Sequence, residues 1–189
     1  MRSQSKRRIN VGRINERYFL FSAGMGLDAE VVKQVEADPD GKREHGEWSF
    51  LSKAFKTGLT RYRTTTPFIT LEVDGAEPAR VVLAICCNAR PFTYFKRFPV
   101  DVCPQARLDR GLDIFALTKI RSSTVARIPW AVFVSRRHIK WRTSRHHHDV
   151  PGARFLPDDP LPVQVDGDYL GDWPSAHLSL VPNALDILV

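Results

Sequence analysis

Two short runs of aspartate hold the side chains of this sequence best suited to chemistry. Leu108-Asp109-Arg110-Gly111-Leu112-Asp113 sets carboxylates around a glycine turn, and Gln164-Val165-Asp166-Gly167-Asp168 repeats the arrangement. A carboxylate presented on a turn can ligate Mg²⁺ or accept a proton from a hydroxyl. Aspartate and glycine also occur together simply because they satisfy the backbone of a turn. Both readings stay open on these residues alone.

Other patterns are weaker. Arg145-His146-His147-His148-Asp149 invites a metal. Three consecutive histidines on a loop rarely all face one ion, and no second cluster supplies further ligands, so a solvated basic loop is the better reading. His45, His138 and His177 are isolated and receive no role. Phe21-Ser22-Ala23-Gly24-Met25-Gly26-Leu27-Asp28 leads two glycines into a helix. That geometry could cradle a phosphate, but it is equally an ordinary strand-to-helix turn. The sequence has no Gly-x-Gly-x-x-Gly after a strand, no GxxxxGK[ST] and no nucleophile elbow. Cys86, Cys87 and Cys103 lack CxxC spacing, and the adjacent pair would face opposite sides of a strand, so they suggest a reducing compartment rather than a zinc site.

The elements that must position the aspartates read as mostly β. Residues 18–22 predict a buried strand, 23–26 a glycine turn and 27–35 a helix with apolar residues at Leu27, Val31, Val32 and Val35. Residues 37–47 predict a polar loop, and Trp48, Leu51, Phe55 and Leu59 an amphipathic helix over 47–62. Residues 68–73 and 79–87 flank Asp74-Gly75 as a hairpin. Further strands are predicted over 100–103, 112–117, 161–165, 178–181 and 184–189, with another around Tyr169. Residues 122–142 predict a helix that Pro129 starts or kinks. About eight short strands with two or three helices point to a β-sandwich or barrel. Residues 1–10 predict a basic, poorly ordered start, leaving 11–189 as one domain.

The chain has 189 residues, 43% hydrophobic and 26% charged, a balance that excludes disorder, collagen and a secreted cysteine scaffold. Its net charge is +7, yet residues 151–189 hold six acids and one base, so the excess lies in the first 150 residues. A basic surface of this kind suits an anionic partner or is merely a solvated face. No apolar run is long enough to span a bilayer as a helix. The run at 18–23 is not a signal peptide, because Glu16 and Arg17 abut it and glycines break it.

Four blocks, taken in order, carry a resemblance. They are the 21–30 segment ending Asp28-Ala29-Glu30; Cys87-Asn88-Ala89-Arg90-Pro91-Phe92-Thr93-Tyr94-Phe95; the 103–114 segment around Asp109-Arg110-Gly111; and the 161–171 segment around Val165-Asp166-Gly167-Asp168, followed by Val181-Pro182-Asn183-Ala184-Leu185. Together they resemble the C-terminal domain of the bacterial diacylglycerol kinase-like lipid kinases, relatives of sphingosine kinases and, more distantly, of NAD kinases. The resemblance implies the mostly β, sandwich-like C-terminal domain of a two-domain fold. It implies ATP-dependent phosphorylation of diacylglycerol or a similar lipid hydroxyl, with Asp168 as the catalytic carboxylate and Asp109 as a Mg²⁺ ligand. ATP would be bound mainly by an N-terminal domain whose Gly-Gly-Asp-Gly-Thr motif does not occur here, so the chain is expected to need that partner domain. Two departures stand out: Arg110 replaces an acid before the glycine, and Asp168 replaces a common glutamate.

The resemblance also implies a cytoplasmic protein, peripheral on an anionic membrane surface; a homodimer stays open. A non-catalytic lipid- or partner-binding remnant is the main alternative. Nucleic-acid binding is a third class, resting only on the charge of Arg136, Arg137, Lys140, Arg142 and Arg145 with Trp141.

Overall fold

The computed structural model describes residues 6–37, 66–95 and 97–188. Its order is β1 (Lys6–Ile14), β2 (Arg17–Phe19), β3 (Ser22–Gly26), α1 (Leu27–Ala37), β4 (Ile69–Val73), β5 (Ala79–Val81), β6 (Leu83–Cys87), β7 (Thr93–Phe95), β8 (Phe98–Val100) and β9 (Leu112–Leu117). Then follow α2 (Ser122–Trp130), β10 (Ser144–Val150), β11 (Gly152–Pro157), β12 (Leu161–Val165), β13 (Asp168–Trp173) and β14 (Ala176–Leu188). One six-stranded sheet runs β2-β1-β14-β11-β4-β5 and a second runs β10-β9-β6-β3-β12-β13, while β7 and β8 form a separate ribbon. The strand pairs are antiparallel throughout both sheets.

The two sheets pack face to face. Ile14, Phe19, Ile69, Leu71, Phe155 and Leu178 of the first share one core with Met25, Cys86, Leu112, Ile114 and Val163 of the second. Among the described residues only one face of the first sheet is covered, and β4 alternates buried and half-buried residues, the period-two pattern of a strand. The second sheet is covered on both faces. A further apolar cluster joins Leu27 of α1 to Ile85, Cys87, Phe115 and Leu117, with Val102, Cys103 and Ala106 lying over them. Hence β6 and β9 are buried at every position; β6 reads as a continuous apolar run, and β9 does so but for Asp113.

The sandwich agrees with the expected class, and β9 and β12 match their predicted spans. Several local expectations are corrected. Residues 6–10 are not a loose start, since β1 begins at Lys6 and pairs with β14 from Leu188 back to Leu178. Residues 18–22 are not one strand: β2 ends at Phe19, the chain bends, and β3 belongs to the other sheet. Residues 23–26 are strand rather than turn; only Gly26, at φ +94, makes the turn into α1. Residues 79–87 are likewise split at Val82, where the chain leaves one sheet for the other. Asp101 to Cys103 are irregular, because β8 stops at Val100 and buried Asp101 ion-pairs Arg90 and Arg136 instead.

The helix predicted over 122–142 breaks into three. α2 is followed by a π-helical turn, Ala131–Ser135, and a 3₁₀ turn, Arg137–Lys140, with Arg136 left-handed between them. Pro129 falls in the last turn of α2, where it lacks the N–H that would bond back four residues; the ladder loosens just beyond it. The histidine triplet is not on a loop but in β10. The helix expected over 47–62 and most of the loop before it lie outside the described residues.

Candidate functional site

One end of the second sheet gathers all four blocks, and three polar side chains tie them together. Asp166 is the first. It stands left-handed at φ 51 ahead of Gly167 at φ 97 in the tight turn between β12 and β13. Its Oδ2 accepts the Leu20 amide at 2.8 Å, and its Oδ1 accepts those of Phe21 and Ser22, also at 2.8 Å. One carboxylate thus caps the bend where the chain changes sheets.

Asn88 is the second tie. Its amide donates to Phe21 O at 2.9 Å, and its Nδ2 donates to Leu20 O and Asn10 O. The residue is fully buried, and its Oδ1 has no partner. Asn10, the third, donates through Nδ2 to Arg110 O at 3.0 Å and accepts the Asn183 amide at 2.9 Å; its own amide reaches Leu108 O. The loops of the third and fourth blocks are therefore fastened to the first and second by asparagine and aspartate. Sequence reasoning passed over Asn10 and Asn88. For Asn88 the signal was an asparagine directly after the apolar strand β6, which must find partners once buried; Asn10, inside the basic β1, carries no such signal.

Asp168 opens β13 opposite Val165, with its side chain exposed. The two aspartates of Asp-Gly-Asp thus divide: Asp166 is consumed by backbone amides, and Asp168 faces solvent at the same end.

Asp109 is differently placed. Arg107 grips it with two bonds, Nε to Oδ1 and Nη2 to Oδ2, both 2.9 Å, and Arg7 adds an ion pair at 3.3 Å. The Arg107 guanidinium holds its carboxyl below the ordinary aspartate value. Arg110 turns to Asp149, whose Oδ1 accepts the Gly111 amide at 2.6 Å. The fit to Mg²⁺ is poor: a hard cation needs several free oxygen donors, and here both Asp109 oxygens already accept from guanidinium groups. Among the described residues no group of three His, Cys, Asp or Glu side chains is arranged to hold a metal ion.

Nor do Asp109 and Asp168 meet. Along the sheet, Asp168 shares a row with Val165, Ala23, Cys86 and Ile114. Four inter-strand steps from β13 to β9 make roughly 19 Å, and Asp109 lies before β9 begins. Asp113, on β9, is a buried carboxylate with a partner of its own: His148 Nδ1 at 2.6 Å, with His146 Nε2 3.9 Å away. Burial pushes the His146 imidazole below its usual value. By strand alternation His146 and His148 therefore share the face toward Asp113, while His147 takes the other face.

The glycine pair is no open phosphate cradle. A Cβ on Gly24 would land on the Asp28 carboxylate, so an acid fills the space an anion would need. Asp28 lies in the first turn of α1 and bonds Gln164 of β12 at 3.1 Å. Burial raises its pKa to about 6.

No family model matches the chain, and no curated protein matches it. Solved structures do. One, assigned as a diacylglycerol kinase of Bacillus anthracis, superposes with a TM-score of 0.63 at 19% identity, covering 96% of this chain and 57% of its own. Two more from the same organism, both assigned as diacylglycerol kinases, give TM-scores of 0.58 at 16% and 17% identity, again over 96% of this chain. At such identities the likeness is one of fold. This chain spans just over half the length of those proteins, and its fold is that of one domain of the bacterial diacylglycerol kinase-like architecture, consistent with the C-terminal one.

Proposed function

We propose that the chain is the substrate-side domain of a lipid kinase-like phosphotransferase, which phosphorylates the hydroxyl of diacylglycerol or a related lipid when joined to a nucleotide-binding domain. The observation that carries this reading is the match of 96% of the chain to diacylglycerol kinase-assigned structures. It is supported by the exposed Asp168 at the end where all four blocks are tied. Asp168 would accept the proton as the lipid hydroxyl oxygen attacks the γ-phosphorus of ATP and the bond to the departing ADP breaks. ATP is a co-substrate in this scheme, bound mainly by the other domain. Asp109 takes no step in it, because arginine already neutralises its charge.

The lipid would be met at an anionic membrane surface. Exposed Tyr94 and Phe98 on the β7–β8 ribbon, with Arg97 over the Phe98 ring, and exposed Trp130 at the end of α2 combine aromatic and basic groups suited to an interface. No helix among the described residues is long and apolar enough to cross a membrane.

A second reading, a non-catalytic lipid- or partner-binding module, is favoured by the arginine-occupied Asp109. The test joins the chain to an upstream Gly-Gly-Asp-Gly-Thr domain and follows transfer of labelled phosphate from ATP to diacylglycerol in anionic vesicles. Turnover by the joined protein, with neither half active alone, is the expected result. Vesicle binding without turnover would establish the second reading, and tight ATP binding by residues 1–189 alone would overturn the domain assignment.

A further inference from the structure

We propose that Asp28 and Gln164 form a polar relay through the second sheet that positions the 166–168 turn, with Asp28 as the positioning residue and Gln164 as the lever. The importance given to that turn rests on the reading of Asp168 above; the relay itself does not.

The geometry is continuous. Gln164 is 1% exposed, and its side chain is spent at both ends. Its Oε1 accepts the Gly167 amide at 3.0 Å, and its Nε2 donates to Asp28 Oδ2 at 3.1 Å. The orientation is forced, since a backbone N–H can only donate and so the oxygen must face Gly167. That leaves the NH₂ to face the carboxylate. Gly24 is part of the same device, because any side chain there would displace the Asp28 carboxylate from the sheet. The relay therefore links the first turn of α1, β3, β12 and the amide lying between Asp166 and Asp168.

An acid is an expensive choice for this place. Asp28 Oδ1 is buried without a partner, and desolvation raises the group's pKa to about 6. Asparagine would offer Gln164 the same acceptor oxygen without the charge. What the charge adds is strength and polarisation: an ionised acceptor makes a shorter, stronger bond, and a chain of hydrogen bonds passes that polarisation on. The state of Asp28 is thereby felt at the Gly167 amide.

Other charged groups surround the relay and are accounted for. Along α1, Lys33 pairs Asp172 of β13, Glu36 accepts the Tyr169 amide and Glu30 accepts from Gln34. Asp166 and Asp168 flank Gly167, and Cys86 and Cys87 lie on β6. A variant at Asp28 separates its titration from all of these.

The experiment is a pH titration of the full chain followed by amide NMR, in the wild type, Asp28→Asn and Gln164→Met. In the wild type the Gly167 amide and the Gln164 side-chain NH₂ should move together with a midpoint of about 6. In Asp28→Asn that shared transition should vanish while both bonds and the fold persist. In Gln164→Met the Gly167 amide should lose its hydrogen-exchange protection. If Gln164→Met does not fold, the Asp28→Asn comparison still decides. A Gly167 amide that is flat in the wild type, or that moves identically in Asp28→Asn, would overturn the relay. A relay that stands while Asp168→Asn leaves phosphoryl transfer unchanged would sink only the catalytic reading.

Discussion

The two loops that pair aspartate with glycine, Asp109-Arg110-Gly111 and Asp166-Gly167-Asp168, look alike in sequence and are used differently in the fold. In the 107–111 loop the carboxylate of Asp109 is closed off by Arg107 and Arg7, and Arg110 and Asp149 neutralise one another beside it. In the 166–168 turn no basic side chain among the described residues intervenes: Asp166 accepts three backbone amides, and Asp168 is left exposed. The first loop spends its acids on charge pairs, whereas the second spends one acid on the backbone and presents the other. Aspartate beside glycine in a turn therefore does not by itself distinguish a ligand from a clasp. The neighbouring residues do, and arginine at 107 and 110 is the deciding chemistry.

The largest effect that would break this contrast is on rate. If the proposed lipid kinase role holds, Asp168→Asn in the chain joined to an upstream nucleotide-binding domain should lower kcat for lipid phosphorylation by about 10²–10⁴-fold, the usual contribution of a positioned proton acceptor. Asp109→Asn should leave kcat nearly unchanged. Steady-state assays of both variants check the pair. Equal losses would make the two loops one catalytic unit, and no loss in Asp168→Asn would reduce the 166–168 turn to a structural motif.

Next comes stability. Asp166→Ala removes the acceptor of three backbone amides at once and places alanine at a positive φ that it adopts poorly. Charge-assisted bonds contribute about 1.5–3 kcal/mol each and are not additive, so a loss on the order of 3 kcal/mol in denaturant unfolding is expected. Asn15 also holds a positive φ, but its neutral side chain makes two bonds, to Ser175 O and from the His177 amide, against three to a carboxylate at Asp166, so its replacement should cost less. A loss at Asp166 no larger than that at Asn15 would mean that the clasp is not what holds the two sheets together at this end.

How much of this was visible beforehand follows the same physics. Strands β9 and β12 were legible because burial on both faces makes them largely apolar runs, each with one polar residue, bounded by turn residues. Strand β10 was not, because Arg145, three histidines and Asp149 carry no apolar alternation; its placement comes from pairing with β9 and from the buried Asp113. The breaks at Leu20-Phe21 and at Val82 were hidden for the opposite reason, since a strand that changes sheets stays apolar through the change. Of the site, Asp168 was named from its motif. The asparagine ties and the Asp28–Gln164 bond were not, since they join residues 78 and 136 positions apart and have no local signature.

A smaller effect sharpens the comparison from beneath the second turn. Asp28 has its pKa raised in the fold, to about 6 from an ordinary aspartate value. The folded state then holds a proton that the unfolded state has released. Stability must therefore fall as pH rises through the window between the ordinary value and about 6, and the ionised form costs stability above it. Asp28→Asn keeps the bond to Gln164 and removes the charge. It should raise unfolding stability at neutral pH on the order of 1–3 kcal/mol and flatten that acid-side slope. Denaturant unfolding at several pH values checks this; a destabilised Asp28→Asn with the slope intact would refute the burial argument.

The smallest effect concerns the first loop. Asp109 is held below the ordinary carboxylate value by Arg107, so its contribution is present at neutral pH and fades only as pH falls through that lowered value. It is also exposed, so the arginine pairs are screened by salt and contribute little. If guanidinium charge has taken the place of a cation here, adding Mg²⁺ or EDTA should leave the thermal midpoint of the chain where it was. Asp109→Asn should lower that midpoint only slightly, and the difference should vanish at high salt. A Mg²⁺-dependent rise in the midpoint, abolished by Asp109→Asn, would reverse the comparison. It would require Arg7 and Arg107 to swing off the carboxylate when the ion arrives, which mutating Arg107 to Ala would then make easier, tightening Mg²⁺ binding rather than weakening it.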